Sequence, residues 1–323
     1  MKNIALILYI TLLALINNIY ILPIILLTLP FTNKILNIWI NIYFTSITGL
    51  LKYVCNVSIH IKNSHILHDM FDDMNNSIDI QNHIAQWDFL IILLNISKKL
   101  CKIKIKIIGL YQGFMLMPGM GLFGLLNSNI MLCYNKIKNL QVLEKCKNDK
   151  NDWIYLYPEG NIFCEKSKQS SDKYCKENNI ISTKNCLYPR FGALEIIDKN
   201  NNINTIYSLC TQYDNVKPSK KYHTLLNHTL PKNIFIDIKK THVKNLVSDT
   251  VQIYRDMDEY LDKEINMNEY IVADKTFVEL LCLLFHLLLF IYNCSLLYNN
   301  YFYGLYLGFV MFIYYSHNIY LIK

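Results

Sequence analysis

The sequence predicts an α/β fold: a mostly parallel sheet flanked by helices, with N-terminal membrane helices before it and a C-terminal transmembrane helical hairpin after it. Three observations predict this. Short strand-like runs alternate with helical patterns through the middle of the chain. Long uncharged apolar runs occupy both ends. Finally, polar strings rich in Asn, Pro and Gly interrupt the strand-like runs where an open sheet exposes its carboxyl edge.

At the N-terminus, Ile4 to Leu29 carries no charge and is long enough to span a bilayer. No small-residue cleavage site follows it, so an uncleaved anchor is expected rather than a signal peptide. Pro23 and Pro30 mark a kink and an exit. Ile35 to Leu51 is shorter and includes Asn37, Asn41, Thr45, Ser46 and Thr48, which suits an interfacial helix; a second span is the alternative. Residues 1–51 thus form the membrane anchor.

The middle unit, 52–277, reads as the α/β domain. Ser77-Ile78-Asp79-Ile80, Lys102 to Ile107, Ile130 to Leu132, Trp153 to Tyr157, Ile203 to Cys210 and Ile234 to Ile238 have strand patterns. Asn139 to Lys147 and Leu246 to Ile265 have helical ones. Residues 278–323 form the hairpin: Leu280 to Tyr298 and Tyr301 to Ile322 are uncharged, are separated by Asn299-Asn300, and carry tyrosines at their edges. The hairpin returns Lys323 to the side of the middle domain, and lysine enrichment there places that side in the cytosol.

Composition narrows the function. Of 323 residues, 52% are hydrophobic and the formal net charge is +7; the mean hydropathy is +0.17. A basic domain between apolar ends suits an anionic lipid surface or a phosphorylated substrate. No aromatic-interleaved basic stripe is present, so nucleic acid is not an expected partner. The 10 cysteines show no C-x-x-C pair and read as reduced thiols. His60, His65 and His68 with Asp69, Asp72 and Asp73 fit no ligand spacing, so no metal is expected.

Two strings carry chemistry. Asn82-His83-Ile84-Ala85-Gln86-Trp87-Asp88 follows a strand and precedes the apolar run Phe89 to Leu94. Within one helix, residues five apart are rotated by about 140° and share no face. With His83 in the strand-to-helix turn and Asp88 in the first helical turns, the carboxylate reaches the imidazole and makes it a base for a hydroxyl. The alternative is a histidine packed at a helix start beside a surface Asp. His68 and Asp73 repeat the spacing without a preceding strand and read as a solvated connection. Tyr157-Pro158-Glu159-Gly160-Asn161 ends a strand, because Pro removes a ladder donor and Gly permits an unusual backbone. It is expected to expose Glu159 and backbone amides at the carboxyl edge, the alternative being a simple strand-ending turn. Leu187-Tyr188-Pro189-Arg190 places a cation after a further turn, as a phosphate ligand or a surface charge.

In this order the strings resemble the glycerolipid acyltransferase family of 1-acylglycerol-3-phosphate acyltransferases, and within it the lysocardiolipin acyltransferase-like branch. The family is marked by Asn-His-x4-Asp, then Pro-Glu-Gly, then a Pro-Arg or Pro-Lys block, and the likeness covers about 52–277. It implies acyl transfer from acyl-CoA, as co-substrate and with no further cofactor, to a free hydroxyl of a lysophospholipid. His83 and Asp88 would be catalytic, and Asn82, Pro158, Glu159, Gly160, Asn161 and Arg190 would bind substrate. The setting would be an integral protein of the endoplasmic reticulum, or alternatively a mitochondrial membrane, in contact with membrane lipids. Ile84-Ala85 stand where Gln-Ser is usual, and Asn161-Ile162 where the family has Thr-Arg. Aligning Pro118 and Gly121 to the intervening block puts Tyr134 where an arginine is usual. Tyr and Ile do not replace a bidentate guanidinium, so Arg190 remains as the clear phosphate ligand. A catalytically silent lipid-binding protein of the same fold, or an acyltransferase for a different acceptor, are the competing expectations.

Overall fold

The computed structural model describes residues 42, 45–72, 76–85, 88, 104–110, 130–132, 136–144, 152–214 and 230–299. In chain order the elements are a π-helical turn at Leu50–Val54, β1 (Ser58–Lys62), α1 (Ile66–Asp72), β2 (Ser77–Gln81), β3 (Lys104–Leu110), β4 (Ile130–Leu132), α2 (Lys136–Glu144) and β5 (Asp152–Leu156). Then come α3 (Glu165–Glu177), α4 (Gly192–Asn201), β6 (Thr205–Tyr213), β7 (Asn233–His242), α5 (Leu246–Leu261), β8 (Ile271–Val272) and α6 (Phe277–Asn299).

The strands form one eight-stranded sheet in the order β4-β3-β5-β2-β6-β7-β1-β8. From β4 to β6 neighbouring strands run parallel. β7 then pairs antiparallel with β6, β1 runs parallel to β7, and β8 is antiparallel to β1. The sheet is therefore mixed, with a parallel half around the motifs. Sequence patterning cannot distinguish the two pairings, because β6 along nearly all its length and β7 over Ile234 to Ile238 are continuously buried, as parallel strands are.

One face of the sheet carries the helical layer. Ile78 and Ile80 of β2, Ile154 and Leu156 of β5, and Ile206 and Cys210 of β6 pack with Leu194 and Ile197 of α4 and Ile253, Tyr254 and Met257 of α5. Helix α5 starts where the Asn245 side chain accepts from Ser248 N–H at 3.0 Å, and its buried residues recur at helical spacing. Helix α3 starts with a reciprocal capping pair between Cys164 and Ser167. Helices α3 and α4 do not stand out in the hydropathy pattern; α3 shows why, since its buried residues are Ser167 and Cys175. The His68 stretch, expected as a solvated connection, is helical instead (α1), anchored by buried Met70; Asp73 lies outside the described residues. His60 is structural, stacked on Phe235 with ring centroids 4.8 Å apart and bonded through Nε2 to Asn233 Oδ1 at 3.0 Å.

The topology puts both chain ends of the domain at one sheet edge. β2, β5 and β6 end there, and β7 starts there because it is antiparallel to β6. β1 starts beside β7, with Ser58 opposite Asn233. β8 runs back along β1 toward the same edge, so the Leu50–Val54 turn and the start of α6 also meet there. They are joined by a buried ion pair, Lys52 Nζ to Glu279 Oε1 at 2.8 Å. Glu279 Oε2 also caps α6 by accepting from Thr276 N–H at 3.0 Å.

Among the described residues no helix is long and apolar enough to cross a membrane. α6, of 23 residues, coincides with the first arm of the expected hairpin, and its side chains are described without a break only over 277–289. The second arm, Tyr301 to Ile322, the first apolar run, Ile4 to Leu29, and Tyr134 lie outside the described residues. α6 turns Glu279, Leu283 and His286 inward and leaves Phe277, Val278, Leu281, Leu284, Leu288 and Ile291 exposed.

Asp79 is fully buried on β2, on the face opposite the main core, and neither carboxylate oxygen has a hydrogen-bond partner among the described residues. Burial pushes its carboxyl well above the usual carboxylate range. A carboxyl raised on folding contributes stability that is complete at low pH and is lost as the pH rises past the unfolded carboxylate range. Asp79→Asn is therefore expected to raise the melting temperature at pH 8, by about 2–4 °C for each ~1 kcal/mol relieved, with the gain shrinking toward pH 4. Thermal unfolding of the detergent-solubilised protein across that range checks it.

Candidate active site

The Asn-His string leaves the carboxyl end of β2, and the Pro-Glu-Gly string leaves the carboxyl end of β5, its parallel neighbour. Parallel pairing is what puts the two loops side by side.

Asp88 lies in a helical turn with its side chain fully buried. Its Oδ2 accepts from His83 Nδ1 at 2.9 Å, from Ile84 N–H at 2.7 Å and from Ala85 N–H at 2.9 Å. Its Oδ1 accepts from the Tyr213 hydroxyl at the end of β6. Since a carboxylate only accepts, Nδ1 of His83 carries a proton, and in the neutral imidazole Nε2 then holds the lone pair. The His83 side chain is 19% exposed, whereas that of Asp88 is 0% exposed: the imidazole is partly accessible and its partner is not.

His83 is gripped by the second loop as well. Its N–H donates to Glu159 Oε1 at 3.1 Å, and its carbonyl accepts from Phe163 N–H at 2.7 Å. Its ring stacks on Tyr157, centroids 4.1 Å apart and planes 24° from parallel. Tyr157 in turn meets Tyr155 edge-on, and the Tyr155 hydroxyl donates to Gln81 Oε1.

The expected exposure of Glu159 does not hold. It is 1% exposed and lies behind the His83 backbone. Burial pushes its carboxyl well above the usual range, against the opposing pull of the His83 and Leu187 amides, and Oε2 makes no hydrogen bond among the described residues. The sequence cannot tell an acid facing a cleft from one bracing a loop, because both occupy the same turn. Asn82 is also fully buried: its Nδ2 donates to Thr211 O at 2.9 Å and its Oδ1 accepts from Thr211 N–H at 2.7 Å. It closes the β2–β6 pairing as a peptide group would, and orients the chain entering His83.

Gly160 has φ +65° and closes a turn through Gly160 N–H to Tyr157 O at 3.0 Å. Ile162 N–H donates to Asn161 Oδ1 at 3.0 Å. The amides of Gly160 and Ile162 are thus already engaged, so the expected exposure of backbone amides by this loop does not hold for these two. Asn161 and Arg190 are exposed at its rim, and Pro158 is buried. Arg190 N–H donates to the Pro158 carbonyl at 2.8 Å, and the Arg190 Cδ lies 3.4 Å from where a Cβ on Gly160 would be. The structure thus brings His83, Asp88, Glu159, Gly160 and Arg190 together. Tyr213 and Tyr157 are site residues that sequence reasoning missed; the aromatic before Pro158 was a visible cue, whereas Tyr213 is one of 24 tyrosines with none.

Such a site can take a proton from a hydroxyl at Nε2 and hold an anionic group near Arg190. Gly160→Ala is expected to cost about 1–2 kcal/mol from the left-handed backbone alone. Asp88→Ala should cost more, roughly 3 kcal/mol, because it leaves four donors without their acceptor. Denaturant titration of both variants checks the ranking. No family model matches this chain, and no curated protein sequence matches it.

Proposed function

We propose that this chain is an acyl-CoA-dependent O-acyltransferase that esterifies a free hydroxyl of a lysophospholipid. The observation that carries the reading is the His83–Asp88 pair: an imidazole held at Nδ1 by a fully buried carboxylate, with its side chain still 19% exposed.

The chemistry follows from the pair. His83 Nε2 accepts the hydroxyl proton as the oxygen attacks the thioester carbonyl. Asp88 stabilises the imidazolium that forms. The tetrahedral intermediate collapses with cleavage of the C–S bond, and the imidazolium returns its proton to the thiolate. The products are an ester and a free thiol, and no acyl-enzyme is required. Arg190, exposed beside Gly160, suits the acceptor's phosphate.

A membrane setting is part of the proposal. The outward apolar stripe of α6 leaves from the same sheet edge as His83, so an acceptor could reach the base without leaving the bilayer. Residues 1–51 and 278–323 would anchor the chain in the endoplasmic reticulum membrane, with the catalytic domain on the cytosolic side. The lack of a cation at Asn161-Ile162 favours a second reading, in which the acceptor differs from lysophosphatidate.

Purified protein in detergent, given acyl-CoA and a panel of lysophospholipids, is expected to release thiol and form the diacyl product with at least one of them. His83→Ala should abolish turnover, and Asp88→Asn should cut kcat by about 10³–10⁴-fold by misplacing the tautomer. Glu159→Gln should stay within roughly tenfold of wild type, since it keeps the acceptor that holds His83 N–H. Thiol release no higher than in the His83→Ala control for every acceptor would end the acyltransferase reading, and a panel won by an acceptor other than lysophosphatidate would establish the second one.

A further inference from the structure

Asp258 belongs to neither motif, yet its carboxylate gathers the chain that leads to Arg190. It sits near the end of α5, and each of its oxygens accepts from Lys184 N–H at 2.8 Å. Oδ1 also accepts from Asn185 N–H and, at 3.3 Å, from Cys186 N–H. The Asn185 side chain returns a bond to the Asp258 carbonyl at 3.1 Å. An acceptor-only group facing three successive amides fixes an irregular backbone as an anion fixes a nest.

The strap from 183 to 190 has no helix or strand of its own and takes its shape from such contacts. Thr183 Oγ1 donates to Cys186 O at 2.7 Å, and Tyr188 N–H donates to Ser171 Oγ on α3 at 2.9 Å. The strap ends where Arg190 N–H meets the Pro158 carbonyl at 2.8 Å. Asp258 holds its first half, and the base loop's neighbour receives its last residue.

One turn earlier on α5, the Tyr254 hydroxyl donates to the Gln81 carbonyl at 3.0 Å. Gln81 closes β2 immediately before Asn82 and His83. Residues four apart share a helix face, so one face of α5 holds both the end of β2 and the strap. Arg190 itself is exposed and forms no ion pair among the described residues, which leaves its charge available for an anion.

The geometry points to Asp258 as a positioning residue for Arg190: it sets the strap so that the guanidinium stem lies across Gly160 and the charge meets the phosphate of the acceptor. This rests on the acyltransferase reading and adds to it the element that governs head-group recognition. Asp258 touches no substrate and acts through the strap.

The test compares wild type with Asp258→Ala, Asp258→Asn, Arg190→Ala and the Asp258→Ala/Arg190→Ala double variant. Each is assayed with lysophosphatidate and with a monoacylglycerol as the acceptor without phosphate. Asp258→Ala should raise KM for lysophosphatidate by about tenfold with kcat within ~3-fold, and leave KM for monoacylglycerol unchanged. The double variant should be no worse than Arg190→Ala alone, and Asp258→Asn should recover part of the loss. Additive losses, or equal losses with both acceptors, overturn the positioning role. Hydrogen exchange gives an activity-independent readout: Asp258→Ala should speed exchange at 184–186 while β2 and β5 stay protected, and unchanged exchange there overturns the anchor. If wild type turns over neither acceptor, lysophosphatidate is not its acceptor, and the acyltransferase reading is decided by the wider lysophospholipid panel. Equilibrium binding of lysophosphatidate to the same variants then decides the positioning role by the same non-additivity, and no binding at all counts against it.

Discussion

A carboxyl group taken out of water needs hydrogen-bond partners in place of the water it loses, and Asp88 has four. Two are the amides of Ile84 and Ala85, one is the Tyr213 hydroxyl, and one is the imidazole N–H of His83. The first two fold the chain between His83 and Asp88 back on itself, which is how residues too far around a helix to meet come into contact. The third reaches from β6, so the pair is tied to the sheet as well as to its own loop. The fourth selects the tautomer that leaves Nε2 as the base. Removing the carboxylate would disturb loop shape, sheet attachment and proton inventory together.

The rest of the site is arranged around His83. Glu159 holds its amide, Phe163 its carbonyl and Tyr157 its ring, so three contacts on one residue come from the loop after β5. This division of labour explains why an acid buried as deeply as Glu159 sits where the sequence suggests an exposed ligand. Its work is on the backbone of the base, while Arg190 and Asn161 occupy the rim. Helix α5 acts at longer range, with Tyr254 on the end of β2 and Asp258 on the strap before Arg190.

The mixed sheet matters for where the domain meets its surroundings. Because β7 and β1 run against β6, the chain enters β1 and leaves β8 at the edge where the base lies. The buried Lys52–Glu279 pair fastens entry to exit, and α6 departs with its apolar side chains turned outward. An apolar helix face that leaves from the same sheet edge as His83 is the physical argument behind the proposal of a lipid acceptor. It is independent of the motifs themselves.

Local information was enough for part of this. The alternation in Ser77 to Ile80, the apolar run Trp153 to Tyr157 and the helical period after Leu246 announced β2, β5 and α5, because burial of one face imposes a pattern that neighbours in the chain display. The residue types at 83, 88 and 159 likewise announced an imidazole–carboxylate contact and a turn. Strand direction, the burial of Asn82 and Glu159, the donation from Tyr213 and the grip of Asp258 on the strap were decided only by tertiary structure. Each depends on which distant segment lies alongside. A hydrogen bond between residues 88 and 213, or 184 and 258, leaves no periodic trace in the sequence because its partners are brought together by the sheet and the helix packed on it.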